Sequence, residues 1–283
     1  MTAVLSPVET AALAIASVTR TAADGELDCV VERRDEVAEG VVSLVLRAAD
    51  GGALPAWTAG AHIDLVLTGT LVRQYSLCGS PSDRRRWRIA VLREPVGRGG
   101  SLHVHEVLRR GATVRVRGPR NHFPLQPSPR HLFIAGGIGI TPILPMIEAA
   151  ARAGSDWRLV YGGRRRASMA FLDELAGRRD RVQLVPEDEL GRIDLDGLLG
   201  TPRDGTLVYC CGPEPLLAAV EERCAGWPAG SLQVERFSAR PVDSTPAAAF
   251  ELVLERSGIT LTVPPDRSIL DVCEAAGVSM LAS

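Results

Sequence analysis

Two patterns in the sequence predict an antiparallel β-barrel or sandwich followed by an α/β domain with a doubly wound parallel sheet. Between Leu27 and Arg117, short runs of β-rich residues are separated by Gly and Asp turns, as in antiparallel barrels and sandwiches. From His131 onwards strands and helices alternate, which is typical of a parallel sheet covered by helices on both faces. The chain has 283 residues, enough for two or three domains.

The first domain is expected to cover residues 27–127. A predicted helix, Ser101–Arg110, interrupts its strands, and a Pro-Ser-Pro run at 127–129 marks its end. Residues 1–26 form an N-terminal tail to which we assign no function. The predicted strands are Leu27–Glu32, Val41–Leu46, Ile63–Leu67, Gln74–Leu77, Trp87–Leu92 and Thr113–Arg117.

The second domain is expected to cover residues 128–237. Ligands of such parallel sheets bind at the carboxyl ends of the strands. The predicted strands are His131–Ala135, Trp157–Tyr161, Arg181–Val185, Thr206–Cys210 and Leu232–Arg236. The predicted helices are Pro142–Ala153, Ser168–Gly177, Leu195–Leu199 and Pro213–Ala225.

A linker rich in Ser, Pro and Ala, residues 238–249, leads to a short final segment, residues 250–283. This segment is predicted to contain strands at Phe250–Arg256 and Ile259–Val263 and a helix at Ser268–Ala276. It is shorter than the length at which a domain usually folds unaided. The segment therefore resembles the first part of a third domain.

Composition excludes several classes of function. All 32 basic residues are arginine, so mechanisms that need a catalytic lysine are excluded. The net charge of −2 gives no support for nucleic-acid binding. The six cysteines form no Cys-x-x-Cys pair, and neither a signal peptide nor a membrane-spanning apolar run is evident. We expect a cytoplasmic protein with reduced thiols and no nucleic-acid or membrane partner.

A glycine-rich stretch follows the first strand of the second domain. It contains Gly136, Gly137 and Gly139, then Thr141 at the expected N-cap and Pro142 at the first helical position. Glycines and free helical N–H groups favour a phosphate or pyrophosphate ligand. Pro142 stands where a dinucleotide fingerprint has its third glycine, so an ordinary strand–helix turn is the alternative.

Two stretches of the first domain also have residue types suited to a flat, phosphorylated cofactor. The tetrapeptide Arg73–Ser76 offers a guanidinium for phosphate and a tyrosine ring on the same strand face. The stretch Gly97–Ser101 contains glycines and an arginine immediately before a helix. The alternatives are an edge strand with a half-buried tyrosine and a flexible turn.

These stretches occur in the order found in the ferredoxin–NADP reductase superfamily, together with Cys211-Gly212-Pro213 and Glu235-Arg236-Phe237. The sequence most resembles the branch of phthalate dioxygenase reductase and the reductases of vanillate demethylases, over residues 27–283. The resemblance implies a six-stranded Greek-key barrel that binds FMN, a domain that binds NADH, and a plant-type [2Fe–2S] ferredoxin domain. The hydride transfer belongs to the two cofactors, so the protein needs little acid–base machinery.

The resemblance also implies roles for particular residues. The flavin site takes Arg73 on the phosphate, Gln74, Tyr75 on the isoalloxazine, Ser76 at flavin N5, and backbone groups of Ala90, Val91 and Leu92. Its phosphate is held by Arg98, Gly99, Gly100 and Ser101, and Phe237 covers the second face of the flavin. The nicotinamide site takes Gly136, Gly137, Gly139, Thr141, Pro142, Cys211, Gly212 and Pro213. Ser76 and Cys211 are expected only to position the cofactors.

Arginines after the second strand of the α/β domain bear on the choice of coenzyme. Arg164 and Arg166 lie where an adenosine ribose is expected, and arginines there can accept the 2′-phosphate of NADPH. The alternative is a solvated charged loop, which also occurs in relatives that use NADH. We expect NADH.

The implied [2Fe–2S] domain needs the pattern C-x4-C-x2-C and a later cysteine, which the sequence lacks. We therefore expect a ferredoxin-like segment cut off before its cysteines, with no metal ligands in this chain. The expected function is a monomeric reductase that passes electrons from NADH through FMN to a terminal oxygenase. The alternatives are a stand-alone flavin or ferredoxin–NAD(P) reductase with a vestigial tail, and a non-catalytic electron-transfer subunit of a larger complex.

Overall fold

The computed structural model describes residues 26–69, 71–97, 99–237, 248–255 and 257–278. The chain divides into two compact units, residues 1–237 and residues 238–283, and each is described by itself. The predicted N-terminal tail lies outside the described residues, except for its last residue, and so does most of the linker.

The first six strands form one antiparallel sheet with the order β4-β3-β6-β1-β2-β5. Just after β4, Cys78 N–H donates to Arg88 O on β5 at 2.8 Å, so the two edges of the sheet meet. This confirms the predicted antiparallel first domain and closes it into a barrel. The strands are β1 (Glu26–Ala38), β2 (Val41–Ala48), β3 (His62–Val66), β4 (Val72–Ser76), β5 (Trp87–Leu92) and β6 (Thr113–Arg120).

Alternation of side chains fills the barrel. Ile63 and Leu65 are fully buried in its core, whereas His62 and Asp64 point to the other face of β3. Helix α1 (Gly100–Glu106) lies between β5 and β6. It ends four residues before the predicted Arg110, because the chain turns there to enter β6, with Ala112 N–H donating to Arg109 O.

The α/β domain contains a parallel sheet with the order β11-β10-β7-β8-β9. The first strand, β7, lies between the second and the fourth: β8 and β9 are added on one side of it, and β10 and β11 on the other, so the strand order reverses between β7 and β10. Doubly wound sheets bind their ligands outside the carboxyl ends of the strands at such a switch point. The strands are β7 (Arg130–Gly136), β8 (Asp156–Gly163), β9 (Val182–Pro186), β10 (Thr206–Cys211) and β11 (Leu232–Glu235).

Two helical predictions in this domain need correction. Thr141 is not the N-cap: helix α2 begins at Ile140 after Gly139, and the Thr141 hydroxyl donates to Ile138 O at 3.0 Å. The continuous helix Ser168–Gly177 is reduced to α3 (Leu172–Leu175), because Phe171 has a φ of 64°, which no helix accommodates. The remaining helices are α2 (Ile140–Arg152), α4 (Glu187–Leu190), α5 (Leu195–Leu199) and α6 (Glu214–Arg223).

The barrel and the α/β domain share one hydrophobic cluster. Cys78 and Ala90 of the barrel belong to the same buried cluster as Ile140, Ala135 and Cys211. Arg88 on β5 donates to both carboxylate oxygens of Glu174 on α3, at 2.6 and 2.9 Å. The first unit is therefore continuous across its two domains.

The second unit contains the strands and the helix predicted for it. Strands β12 (Phe250–Leu254) and β13 (Ile259–Val263) pair antiparallel, and helix α7 (Ile269–Ala275) follows. Ser268 caps this helix, since its Oγ accepts from Asp271 N–H at 3.1 Å.

Candidate functional site

The glycine turn, Gly137–Gly139, joins β7 to α2 at the switch point of the sheet. A Cβ on Gly139 would overlap the carbonyl group of Cys211 and lie 2.7 Å from Gly212 N. A Cβ on Gly136 would lie 2.7 Å from Pro213 Cδ. The carboxyl ends of β7 and β10 therefore touch backbone to backbone, which only glycines permit here.

Gly137 differs from its two neighbours. Its φ is +54° and a Cβ on it would meet nothing within 4 Å. The outer side of the glycine turn is thus open, while its inner side is packed. An open backbone at a switch point is suited to close approach of a ligand.

Cys211 lies at the end of β10 beside this turn, where the sequence analysis places it. Its side chain is fully buried in the cluster between the domains. Burial raises the pKa of the Cys211 thiol well above its ordinary value, with a smaller contribution from the carboxyl of Glu235. The thiol is therefore neutral, and it shapes the edge of the site without charge.

Glu235 is a residue for which the sequence analysis gave no role. It ends β11 and pairs in register with Cys211 on β10. Burial raises the pKa of Glu235 to about 8, and its Oε2 has no hydrogen-bond partner within the described residues. The sequence could have pointed to Glu235 through its carboxyl group, which stands near the end of a predicted parallel strand. The structure adds that Oε2 of this carboxyl is buried and that, with a pKa of about 8, the group is protonated at neutral pH.

Arg73, Tyr75 and Ser76 lie on strand β4 of the barrel, with Arg73 and Tyr75 on one face of the strand. Tyr75 is partly buried against the barrel core, and this burial raises the pKa of its phenol to about 12. Ser76 is buried, and Gln74, which lies between Arg73 and Tyr75, is exposed. A neutral tyrosine ring beside a guanidinium can pack on a flat ring and hold an anion.

The Arg73 side chain crosses the first residue of α1. A Cβ on Gly100 would lie 2.8 Å from Arg73 Nε and closer still to its Cγ. Gly99 precedes the helix with a φ of +79°. The Ser101 hydroxyl accepts from Glu94 N–H at 3.0 Å, which fixes the turn before the helix. Arg98 lies outside the described residues.

Strand β5 connects the two halves of the site. It carries Ala90, Val91 and Leu92, contacts β4 on one side, and contacts the glycine turn on the other. Ala90 and Leu92 pack in the cluster between the domains, whereas Val91 packs inside the barrel. His105 Nε2 of α1 donates to the Val91 carbonyl at 2.9 Å, which ties the helix to this strand.

Other candidate residues lie around this centre. Phe237 follows β11 and is half exposed. Arg164 and Arg166 follow β8 and are exposed, and Arg166 donates to both carboxylate oxygens of Glu189, at 3.0 and 2.7 Å.

Among the described residues, no helix has the length and apolarity needed to cross a membrane.

A closed antiparallel barrel beside a doubly wound sheet with a glycine turn at its switch point defines an oxidoreductase fold of the ferredoxin–NADP reductase type. Residues 133–222 match the family model of the oxidoreductase NAD-binding domain. The chain is 39% identical to the vanillate O-demethylase oxidoreductase of Pseudomonas putida, over 91% of this chain and 83% of that protein.

Solved structures of two proteins show the same fold. Phthalate dioxygenase reductase matches with a TM-score of 0.76 and 33% identity, over 92% of this chain and 83% of that one. An intact type IV self-sufficient cytochrome P450 monooxygenase matches with a TM-score of 0.85 and 44% identity, over 91% of this chain. The chain spans about a third, 34%, of that monooxygenase. This chain belongs to the phthalate dioxygenase reductase and vanillate demethylase reductase branch of the ferredoxin–NADP reductase superfamily.

Proposed function

We propose that this protein is the reductase component of an oxygenase system and passes electrons from NADH through FMN to a terminal oxygenase. The observation that carries the proposal is the position of β5. One strand contacts both β4, with Arg73, Tyr75 and Ser76, and the glycine turn at the switch point. A flavin held at β4 and a nicotinamide held at the turn would then be neighbours, as hydride transfer requires.

The barrel residues fit a flavin mononucleotide. Gly100 leaves room for the Arg73 side chain to cross the start of α1, so the guanidinium would reach a phosphate bound at this turn. Tyr75 supplies a neutral aromatic face, and its phenol has no hydrogen-bond partner among the described residues. We propose that Arg73, Gly99, Gly100 and Ser101 hold the phosphate, with Arg98, and that Tyr75 and Ser76 hold the ring.

The sheet residues fit a dinucleotide. Gly137 opens the turn toward a ligand, while Gly136, Gly139 and Gly212 allow the strand ends to close beneath it. We propose that these glycines, with Thr141, Pro142 and Pro213, form the pyrophosphate and nicotinamide edge, and that Phe237 covers the flavin from the other side. Cys211 and protonated Glu235 keep this edge free of charge, which favours close packing of the two cofactor rings.

The cofactors supply the chemistry when bound: the nicotinamide gives a hydride, and the flavin accepts two electrons and releases them singly. The residues of this chain bind and orient the two groups and exclude water from between them. Glu235 Oε2, buried and without a partner in the described chain, holds a proton close to this edge at neutral pH.

The second unit supports a further part of the proposal. The hairpin β12–β13 followed by α7 is consistent with the opening elements of a ferredoxin-like domain. We propose that residues 250–283 belong to such a domain and that the protein serves its oxygenase in the cytoplasm. The cysteines that a [2Fe–2S] cluster needs are not in the sequence, so no cluster is assigned to this chain. Cys273, the cysteine of this segment, is buried on α7 and is not proposed as a ligand.

The proposal is tested by adding FMN to the purified protein and following flavin fluorescence, then measuring reduction of ferricyanide by NADH. We expect one FMN per chain and NADH-dependent turnover. FAD and riboflavin serve as controls for the phosphate subsite. Absence of flavin binding would contradict the proposed function.

A further inference from the structure

The three consecutive arginines after β8 differ in what their side chains contact. Arg165 pairs with Glu39, in the turn after β1, at 2.8 Å. Arg166 forms a two-pronged pair with Glu189 of α4. The Arg164 side chain forms no hydrogen bond or ion pair with the part of the chain that the structure describes, and it is exposed.

Helix α4 is therefore an acidic neighbour of the arginine loop. It carries Glu187, Asp188 and Glu189, and Asp188 N–H donates to Arg164 O at 3.2 Å, which anchors the helix to the loop. Glu189 and the nearby Asp188 both raise the pKa of Arg166. Glu187 instead pairs with Arg192, at 3.1 Å.

The loop follows β8, the strand beside β7, and in doubly wound sheets the adenosine ribose lies at this strand end. A 2′-phosphate there would be dianionic and would need unneutralised arginine. Resting on the proposed function, we propose that Glu189 sets the preference for NADH, by neutralising Arg166 and repelling a 2′-phosphate. Arg164 is left as the cation available to either coenzyme.

If Glu189 disfavours a 2′-phosphate in this way, removing its charge should improve the binding of a 2′-phosphate. When the Glu189 carboxylate is replaced by an amide of the same shape, Arg166 keeps its place near the ribose but regains a net positive charge. The pair is half exposed, so the gain for a 2′-phosphate is modest, about fivefold in affinity.

The experiment compares adenosine 2′,5′-bisphosphate (2′,5′-ADP) with 5′-AMP, which differ only in the 2′-phosphate, by titration calorimetry on the whole chain. In Glu189→Gln we expect 2′,5′-ADP to bind about fivefold more tightly than in the wild type, with 5′-AMP unchanged. Glu187→Gln is the matched control, since it removes a paired carboxylate from the same helix and should leave the ratio unchanged. Adding Arg166→Gln to Glu189→Gln should abolish the gain.

The outcomes separate the two proposals. An equal effect of Glu187→Gln and Glu189→Gln, or no effect of either, would overturn the role of Glu189 while NADH binding persists. Failure of 5′-AMP and NADH to bind the wild type would instead contradict the proposed function, and the role of Glu189 with it.

Discussion

The edge of the parallel sheet and the outer face of the barrel form the two halves of the site in different ways. At the sheet edge, glycine backbones touch, Cys211 is buried, Oε2 of Glu235 is buried, and both side chains are neutral. On the barrel, Tyr75 is half-buried, Gln74 is exposed, and Arg73 carries a charge across Gly100. One half is closed by packing of the protein on itself, and the other places polar groups on the barrel face.

The difference indicates what each half is built to hold. A barrel face with an arginine and a partly buried tyrosine suits an anionic cofactor that remains bound, because the cofactor itself completes the packing. A sheet edge that is already packed suits a coenzyme that enters and leaves at each turnover, since little rearrangement is needed. Substitutions at the sheet edge should therefore affect folding, and those on the barrel face should affect flavin affinity.

The largest expected effect concerns Glu235 and pH. Its pKa is raised from 4.5 to about 8 in the folded protein, so the folded state keeps a proton that the unfolded chain releases. The stability due to this group is complete below pH 4.5 and is lost as the pH rises to about 8. Relative to Glu235→Gln, the unfolding free energy of the wild type should fall by about 1.4 kcal/mol per pH unit in that window. Urea unfolding at several pH values measures this.

Glu251→Gln serves as the control, because this carboxyl lies on an exposed position of β12. Parallel pH profiles for the wild type and Glu235→Gln would show that Glu235 is not buried in its neutral form.

The second prediction concerns the glycine turn. Gly139→Ala should cost about 3 kcal/mol, because the new Cβ would collide with the Cys211 carbonyl. Gly137→Ala, where the space is open, should cost about 1 kcal/mol for its positive φ. Urea unfolding checks both, and equal losses would mean that the strand ends are not in backbone contact.

The third prediction concerns the barrel face. Gly100→Ala should displace the Arg73 side chain and weaken FMN binding about tenfold, equivalent to about 1.4 kcal/mol. Arg73→Gln should weaken it at least as much. Gly69→Ala, at an exposed barrel glycine with nothing within 4 Å, should leave FMN binding unchanged. Flavin fluorescence measures all three, and normal affinity in Gly100→Ala would remove Arg73 from the phosphate site.

Much of this site followed from local sequence patterns, and what was missed depends on tertiary contacts. Strand periodicity and the three glycines located the turn, but the pattern could not show that Gly139 faces Cys211 while Gly137 faces outward. Thr141 has a typical N-cap side chain, yet the turn at Gly137–Gly139 starts the helix two residues earlier than predicted, at Ile140 rather than Pro142.

The acidic helix α4 was not predicted, since four residues after Pro186 show no helical period. Its pairing with Arg166 joins residues 23 positions apart, and no spacing rule gives such a pair. The break at Phe171 is likewise tertiary: its ring lies under the Arg88 guanidinium of the barrel, 4.8 Å from the ring centre.

The central claim is that the barrel near Tyr75 and the sheet edge near Gly137 present their cofactors to each other. Anaerobic mixing of the FMN-loaded protein with one equivalent of NADH, followed in a stopped-flow spectrometer, tests this most directly. We expect rapid loss of the visible flavin absorbance in the wild type. Tight binding of both FMN and NADH without any bleaching would contradict it.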